Sequence, residues 1–475
     1  MFIGRESELQ ALDRMYKRPG FQMAVIYGRR RVGKTALIDR FVRDKPALYF
    51  TAQQKSSMLN LTAFSSAIHE FFGDPQGSTS FASWDAALSY VARRSSEFSS
   101  SHDKPMVVVF DEFPYAAETE PALPSALQIA IDHEFSSGQT KMVLCGSNEG
   151  FMESEVLGRK SPLYGRRTMQ LRVRPFDYLD TARMLPGVSH EELVTYYATF
   201  GGTPYYLSQI DPAAGYETNV RELAFDTAGL LYEEPIMLLR EELREPALYN
   251  SVLDAIGGGA TSSTRIAEKA GVGVSSISKY LKTLLELGLV RREVPFGANP
   301  ASSKRGLYEF EDPFFSYWYH FVSKYVGLIE AGLGEGAARR ASGVELSTYV
   351  GKIFEQVCMQ WVHRQVRKGE FPFLPTSFGR WWGTGPSLRE QVDIDLIAAD
   401  PETQTALFGE CKWRESLNAT EAIATLEHRS ALIRGFDRRT YALFTKHPTS
   451  EATRAKASQR DDLTLVTLTD LFEDL

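Results

Sequence analysis

The sequence predicts an α/β protein of several domains, built on a parallel sheet in its first third and on a second, separate sheet near its end. Three observations point there. The runs Met23–Tyr27, Met106–Phe110 and Met142–Cys145 are apolar without alternation, as strands covered on both faces are. The first of them leads through a glycine-bounded loop into an amphipathic helical pattern, the order of a βα unit. Far downstream, Gln391–Ala398 and Thr405–Trp413 carry acidic and basic residues at alternate positions of strand-like segments.

At 475 residues the chain is too long for a single core, and length alone suggests about three domains. Hydrophobic content of 43% and charged content of 24% are those of a soluble globular protein. No apolar stretch approaches the roughly 20 residues that span a bilayer. The start, Met1–Glu6, lacks a signal-peptide pattern, so the expected location is cytoplasmic, with no membrane partner. Cys145, Cys358 and Cys411 lie far apart in apolar surroundings and read as reduced packing residues. A net charge of −7 offers no global attraction to nucleic acid, so such contact requires a local basic surface.

The strand Met23–Tyr27 runs into Gly28, Arg29, Arg30, Arg31, Val32, Gly33, Lys34 and Thr35, then into the helical start Ala36–Phe41. Such a loop and helix N-terminus converge main-chain N–H groups on one point, which is what phosphate binding requires. The spacing is that of a P-loop. Residues Gly28 to Ala36 would wrap the phosphates, Lys34 would reach the outer ones, and Thr35 would ligate Mg²⁺. The expected ligand is a nucleoside triphosphate.

The strand before Asp111 and Glu112 ends where ligands bind in a parallel sheet. Asp111 is placed to hold Mg²⁺ through water and Glu112 to polarise the attacking water, a Walker B pair. After Lys141–Cys145 come Ser147 and Asn148, which either sense the γ-phosphate or cap a helix. Arg166 and Arg167 precede the strand Met169–Val173. They either contact the triphosphate, from their own or a neighbouring subunit of a homo-oligomer, or form a solvated basic turn.

Phe2–Glu6, the P-loop, Val109–Glu112, Cys145–Ser147, Leu163–Arg166 and Phe200–Leu207 follow one another in this order. Together they resemble the archaeal-type ATPases of the STAND branch of AAA+-like proteins. The resemblance implies a P-loop NTPase core over 1–176 with strand order 5-1-4-3-2, and a helical lid over 177–245. It implies that Gly202-Thr203-Pro204 lies against the nucleotide, with Pro204 a contact, and that Phe2–Glu6 meets adenine. It favours ATP over GTP, and no guanine-reading Asn-Lys-x-Asp occurs. Arg29 to Arg31 read as solvent-facing, with no catalytic role.

From 246 to 311 the pattern is a winged helix-turn-helix. Helices are expected over Leu248–Ile256, Thr264–Ala270 and Val274–Leu287, with Val274, Ile277, Leu281, Leu284 and Leu285 on one face. Leu289–Val294 and Gly306–Phe310 would form the wing. The last helix is similar to winged-helix recognition helices, with Ser275, Ser276, Ser278, Lys279, Lys282 and Thr283 outward. Arg291, Arg292, Lys304 and Arg305 add to a thin basic footprint. The module either binds double-stranded DNA or docks one domain of the chain on another.

An aromatic helix, Asp312–Phe321, opens a helical linker over 312–345 whose Gly332–Gly343 part reads as flexible. The last domain, 346–475, starts with a helix carrying Glu355. In Glu390–Ala398, Asp393 and Asp395 share one strand face, and Glu410 and Lys412 do so in Thr405–Trp413. Carboxylates of this kind suit Mg²⁺, and a lysine beside them can position or deprotonate water. The alternative is a buried ion pair kept for stability. An Asp followed by Glu-x-Lys resembles the PD-(D/E)XK restriction-endonuclease-like superfamily. Gly351–Glu355, Gly379–Gly383, Val392–Asp395 and Phe408–Trp413 look like a domain of unknown function that follows such ATPases. That resemblance implies Asp395, Glu410 and Lys412 as the nuclease set, completed by Glu355, with Asp393 a neighbour or substitute. Trp381 and Trp382 read as packing residues.

The sequence therefore predicts an ATP-hydrolysing switch coupled to a nuclease-like DNA-processing domain. The alternatives are an ATP-dependent DNA-binding regulator, or a protein-only signalling platform, with an inert last domain.

Overall fold

The computed structural model describes residues 2–75, 78–384 and 391–475. The chain divides into two compact units, Met1–Pro175 and Phe176–Leu475.

In the first unit five strands form one parallel sheet: β1 (Gln22–Tyr27), β2 (Ala47–Thr51), β3 (Val107–Asp111), β4 (Lys141–Gly146) and β5 (Met169–Arg172). Their order is β2-β3-β4-β1-β5, the order expected from the resemblance read from its other edge. β1, β3 and β4 are buried at every position, which is why they read as unbroken apolar runs. Alternate residues feed two layers. Ala24, Ile26, Val107, Val109 and Val143 pack with Leu37 and Phe41 of the helix Lys34–Val42. Met23, Val25, Val108, Phe110 and Leu144 pack with Phe64, Trp84 and Leu127.

The second unit begins with a bundle of helices from Tyr178 to Glu242, the first capped by Asp177. Next come the winged-helix elements: helices Pro246–Gly257, Ser263–Ala270 and Ile277–Glu286, and the antiparallel ribbon β6 (Val290–Glu293) and β7 (Leu307–Phe310). The recognition helix starts three residues later than expected. The carbonyl of Gly273 accepts the N–H groups of Ser276 and Ile277, so Val274 lies in the preceding turn and is exposed, while Tyr280 joins Ile277, Leu281 and Leu284 in the core.

The expected flexible segment Gly332–Gly343 is instead largely ordered as the helix Gly334–Arg340. Ala337 and Ala341 are buried, and Gly334 sits so close to Phe225 that a Cβ would lie 1.9 Å from its carbonyl oxygen. Small residues there serve close packing.

The last sheet has the order β12-β11-β10-β9-β8, from β8 (Ser377–Thr384), β9 (Gln391–Asp400), β10 (Thr405–Lys412), β11 (Arg438–Thr445) and β12 (Leu463–Thr467). Glu390, at the expected start of β9, lies outside the described residues. β8–β9–β10 is antiparallel and β10–β11–β12 parallel. The helix Val344–Lys368 packs on one face and the helix Ala419–Ser430 on the other. One hydrophobic core runs from Phe176 through the helical bundle, the winged helix and the long helix to Phe472.

Candidate functional site

The P-loop joins β1 to the helix Lys34–Val42. Gly28 has φ 152°, and a Cβ there would meet the carbonyl oxygen of Val173 at 2.3 Å, so only glycine fits. The Lys34 ammonium folds back across the loop and donates to the carbonyls of Gly28 (2.7 Å) and Arg29 (3.0 Å). Burial lowers its pKa, and the carboxylates of Glu112, Asp111 and Glu149 work in the opposite direction.

Asp111 ends β3. Its Oδ2 accepts from the Thr35 hydroxyl (3.2 Å) and from Tyr49 (2.9 Å), and its Oδ1 accepts from the Glu112 N–H (3.0 Å). Burial and then Asp111 push the Tyr49 phenol up, so Tyr49 remains a donor. Glu112 adopts the left-handed conformation at φ 50°. Its two oxygens accept from the Ser147 hydroxyl at 3.0 and 2.8 Å, and the Ser147 N–H lies 3.3 Å from Oε2. Asn148 caps the short helix Glu149–Phe151 through the Phe151 N–H at 2.9 Å. The two polar residues after β4 thus have different tasks: one caps, the other grips Glu112.

Arg166 grips Asp132 with two donors, at 2.8 and 2.6 Å, and donates to the carbonyls of Pro162 and Tyr164. The loop arginines are not uniformly solvent-facing as expected. Arg29 is buried, Arg30 is half-buried with its guanidinium 2.5 Å from the Tyr115 hydroxyl, and Arg31 is exposed. The reason lies in the loop's path: Arg29 follows the buried Gly28, and its main-chain N–H serves the buried Glu149.

In the second unit, Gly409 pairs with Leu396, so one step along the antiparallel ladder Glu410 comes abreast of Asp395. Asp395 Oδ2 accepts the Cys411 N–H at 2.8 Å and lies 3.9 Å from the Lys412 ammonium. Lys412 pairs with Glu410 Oε1. Glu410 is buried, and its second oxygen, Oε2, has no hydrogen-bond partner. Arg429, from the helix Ala419–Ser430, reaches Asp393 at 3.2 Å and lies 3.9 Å from Glu410.

Burial and then Asp395 push Glu355 up to about 8, opposed by Arg380. Burial and then Glu410 push Asp395 up to about 6, opposed by Lys412. The structure thus brings Glu355, Asp395, Glu410 and Lys412 together. Among the described residues no three His, Cys, Asp or Glu side chains form a ready metal cage. Mg²⁺ requires less, since one or two carboxylates suffice when water fills its other positions. The bare Glu410 oxygen beside Asp395 fits such an ion. All three cysteines are free and buried, as expected.

On the winged helix, Ser275, Ser276, Ser278, Lys279 and Lys282 are exposed, with Lys279 facing Glu245 (3.4 Å) and Lys282 facing Glu286 (3.7 Å). The wing arginines are engaged by neighbouring groups of the chain. Arg291 pairs with Glu309 at 3.2 Å, Arg292 donates to the carbonyls of Pro300 and Ser303, and Arg305 donates to the carbonyl of Trp382.

Residues 2–210 match a family described as an ATPase domain predominantly from Archaea. Residues 251–294 match the IclR helix-turn-helix domain, and residues 318–424 match archaeal and bacterial proteins of unknown function. The first 210 residues are an ATPase domain of that archaeal type. An uncharacterized protein of Methanocaldococcus jannaschii is 29% identical over 416 residues, 87% of this chain and 88% of its own. A Walker-type ATPase of Pyrococcus abyssi has a similar structure, with a TM-score of 0.50 at 19% identity over 67% of this chain and 96% of its own. A STAND protein of Pyrococcus horikoshii with a tetratricopeptide-repeat sensor gives 0.28 at 14% identity, over 78% and 50% of the two chains.

Within the ATPase domain, sequence reasoning missed three groups at the P-loop. Tyr49 on β2 holds Asp111. Arg5 donates to the carbonyls of Val32 (2.9 Å) and Arg174 (2.6 Å), tying the N-terminal box to the loop. Glu149 pairs with Arg172 at 2.5 Å. Only Arg5 sat inside a motif; Tyr49 is a single residue in the middle of β2, and Glu149 opens the short helix after β4. No helix among the described residues is long and apolar enough to cross a membrane.

Proposed function

We propose that the protein is an ATP-hydrolysing switch coupled to a C-terminal domain that cleaves nucleic-acid phosphodiesters. In the ATPase domain, water attacks the γ-phosphate in line, Glu112 orients that water, and Lys34 stabilises the charge developing on the phosphate oxygens. The Ser147 hydroxyl holds Glu112 in place until substrate competes for it. Arg166, from its own or a neighbouring subunit, would add a cation if its grip on Asp132 opened. Pro204, which opens the short helix Pro204–Leu207, is the proposed lid contact that reads the nucleotide.

In the C-terminal domain, the Lys412 ammonium, kept protonated by Glu410 and Asp395, orients the attacking water by donating to it, and Glu355 completes the acidic wall. Mg²⁺, bound by Thr35 and Asp111 in one site and by Asp395 and Glu410 in the other, would neutralise phosphate charge. The unpartnered Glu410 Oε2 beside Asp395 and Lys412 carries the C-terminal reading. Buried carboxylate oxygens rarely stay bare, and a cation satisfies this one.

A second reading keeps the last domain inert and makes the winged helix an ATP-dependent contact to double-stranded DNA. The exposed serine and lysine face of Ile277–Glu286 favours it. Mg²⁺- or Mn²⁺-dependent cleavage of duplex DNA by wild type, lost in Lys412→Ala, supports the first reading. Equal cleavage by both proteins removes the proposed site, and salt-sensitive binding without cleavage supports the second.

A further inference from the structure

The edge strand β8 is irregular at one place. Gly379 pairs with Ile397 of β9 and Trp381 with Ile394, so Arg380 alone stands opposite both Asp395 and Leu396, in a β-bulge whose extra residue belongs to β9. Bulges re-aim side chains and are common beside active sites. The Arg380 guanidinium lies against the face of Trp382, 5.2 Å from the ring centroid, and near enough to Glu355 to pull its pKa down.

What Arg380 holds is the wing. Its Nε lies 2.7 Å from Glu293 of β6 and its Nη2 lies 2.5 Å from Glu309 of β7. In the ribbon Arg291 pairs with Glu309 and Glu293 with Leu307, which makes Glu293 and Glu309 diagonal neighbours on one face. Like charges so placed repel unless a cation lies between them. β8 is the edge of the sheet, and the Arg380 carbonyl accepts the Phe296 N–H at 2.8 Å. Phe296 packs into the core of the last sheet beside Phe436, and Arg305 donates to the carbonyl of Trp382. The wing therefore lies along the β8 edge, next to the carboxylate cluster.

We propose that Arg380 is a phosphodiester-gripping residue of the C-terminal site, and that Glu293 and Glu309 occupy it as an internal competitor for nucleic acid. The proposal rests on the nucleic-acid reading of that site given above. A guanidinium that donates to carboxylates through two of its nitrogens can donate to phosphate oxygens through the same fork. Undocking the wing frees a cation opposite Asp395 and removes two negative charges from the approach to Asp395 and Glu410. Docked, the wing repels a polyanion and blocks the strand edge. Arg380 thus both binds the ligand and senses the position of the winged helix.

The test uses the full chain and a labelled DNA duplex, with Ca²⁺ for binding and Mn²⁺ for cleavage. Glu293→Gln with Glu309→Gln preserves shape and removes both charges. It is expected to bind duplex about 10-fold tighter than wild type, the scale of one competing ion pair lost. Adding Arg380→Gln should cancel the gain. Hydrogen exchange over residues 290–310 should rise in the double variant. If it does not, Phe296→Ser with Arg305→Ala frees the wing by its tip and the same gain is required.

Exposed wing amides without tighter, Arg380-dependent binding overturn the proposal, even if Lys412-dependent cleavage is present and the cleavage reading survives. Tighter, Arg380-dependent binding with no cleavage by any variant supports the grip and removes the nuclease reading. Absence of both binding and cleavage in every variant overturns both.

Discussion

Glu355 offers a test of the C-terminal cluster that requires no substrate. Burial and then Asp395 hold its carboxyl at about 8, against an ordinary 4.5. A group raised in this way keeps in the folded state a proton that the unfolded chain loses above pH 4.5. The Glu355 contribution to stability therefore falls as the pH climbs from 4.5 towards 8, and that contribution is level outside the window. The full shift corresponds to at most ~5 kcal/mol. Arg380 and the polarizable surroundings screen the ionised form, which brings the expected penalty at pH 9 to about 1–2 kcal/mol. Glu355→Gln keeps the shape and removes the charge. Urea unfolding of the full chain, followed by tryptophan fluorescence at pH 4.5, 7 and 9, should show the variant equal to wild type at the lowest pH and more stable by that amount at the highest. Adding Mg²⁺ at pH 9 should narrow the gap, because a bound cation lets Glu355 ionise without repulsion. A variant no more stable than wild type at pH 9, or equally favoured at all three values, would refute the clustering argument.

Other outcomes follow from single contacts. Lys34→Ala removes charge-assisted bonds to phosphate and should weaken ATP binding about 10–100-fold by calorimetry. Glu112→Gln should bind ATP normally and turn over about 10²–10⁴-fold more slowly in a phosphate-release assay, the range of a lost general base; wild-type turnover would show that another group orients the water. Gly202→Ala places a Cβ 1.8 Å from the carbonyl oxygen of Phe176, and should destabilise the second unit by about 1–3 kcal/mol in urea unfolding through overpacking. Arg364→Ala strips the cation from Asp177, which it holds with two bonds of 2.8 Å, and should lower stability by about 1–3 kcal/mol, because both side chains are mostly shielded from water.

The parts legible in the sequence were those whose signal is local. β1, β3 and β4 are buried on both faces, so composition alone marks them; the P-loop is marked by its glycine-bounded spacing between strand and helix, and the β9 and β10 carboxylates by strand periodicity. Val274 was misread because a turn held by the Gly273 carbonyl ends the helical repeat early, and hydrophobic periodicity does not see main-chain hydrogen bonds. Gly332–Gly343 was misread because glycine and alanine signal flexibility unless a close neighbour requires their small size, and that neighbour, Phe225, is over a hundred residues away in sequence. Arg380 lay inside a noticed motif, yet its aim depends on a bulge that only strand register reveals.

Long-range contacts of the same kind explain why the helical bundle Tyr178–Glu242 cannot act as a separate part. Asp177 caps the first lid helix and also binds Arg364 of the helix Val344–Lys368. Tyr178 donates through its hydroxyl to the carbonyl of Leu471 at 2.5 Å, Gln360 bridges the Tyr178 N–H and the Tyr197 hydroxyl, and Tyr349 reaches the carbonyl of Ala198. Lys446 of the last domain pairs with Glu191 at 2.7 Å. Apart from the Lys446–Glu191 pair, whose carboxylate is exposed, these bonds are largely shielded and surround a continuous apolar core, so separating bundle from last domain would expose several buried polar groups at once. A displacement of the Tyr178–Glu242 bundle must therefore carry the helix bearing Glu355 with it. Such rigidity transmits a displacement, whereas the polar seam between wing and β8, built largely on Arg380, offers an easier place to part. Within the second unit, a motion of the helical bundle would then be read at that seam, beside the C-terminal carboxylates.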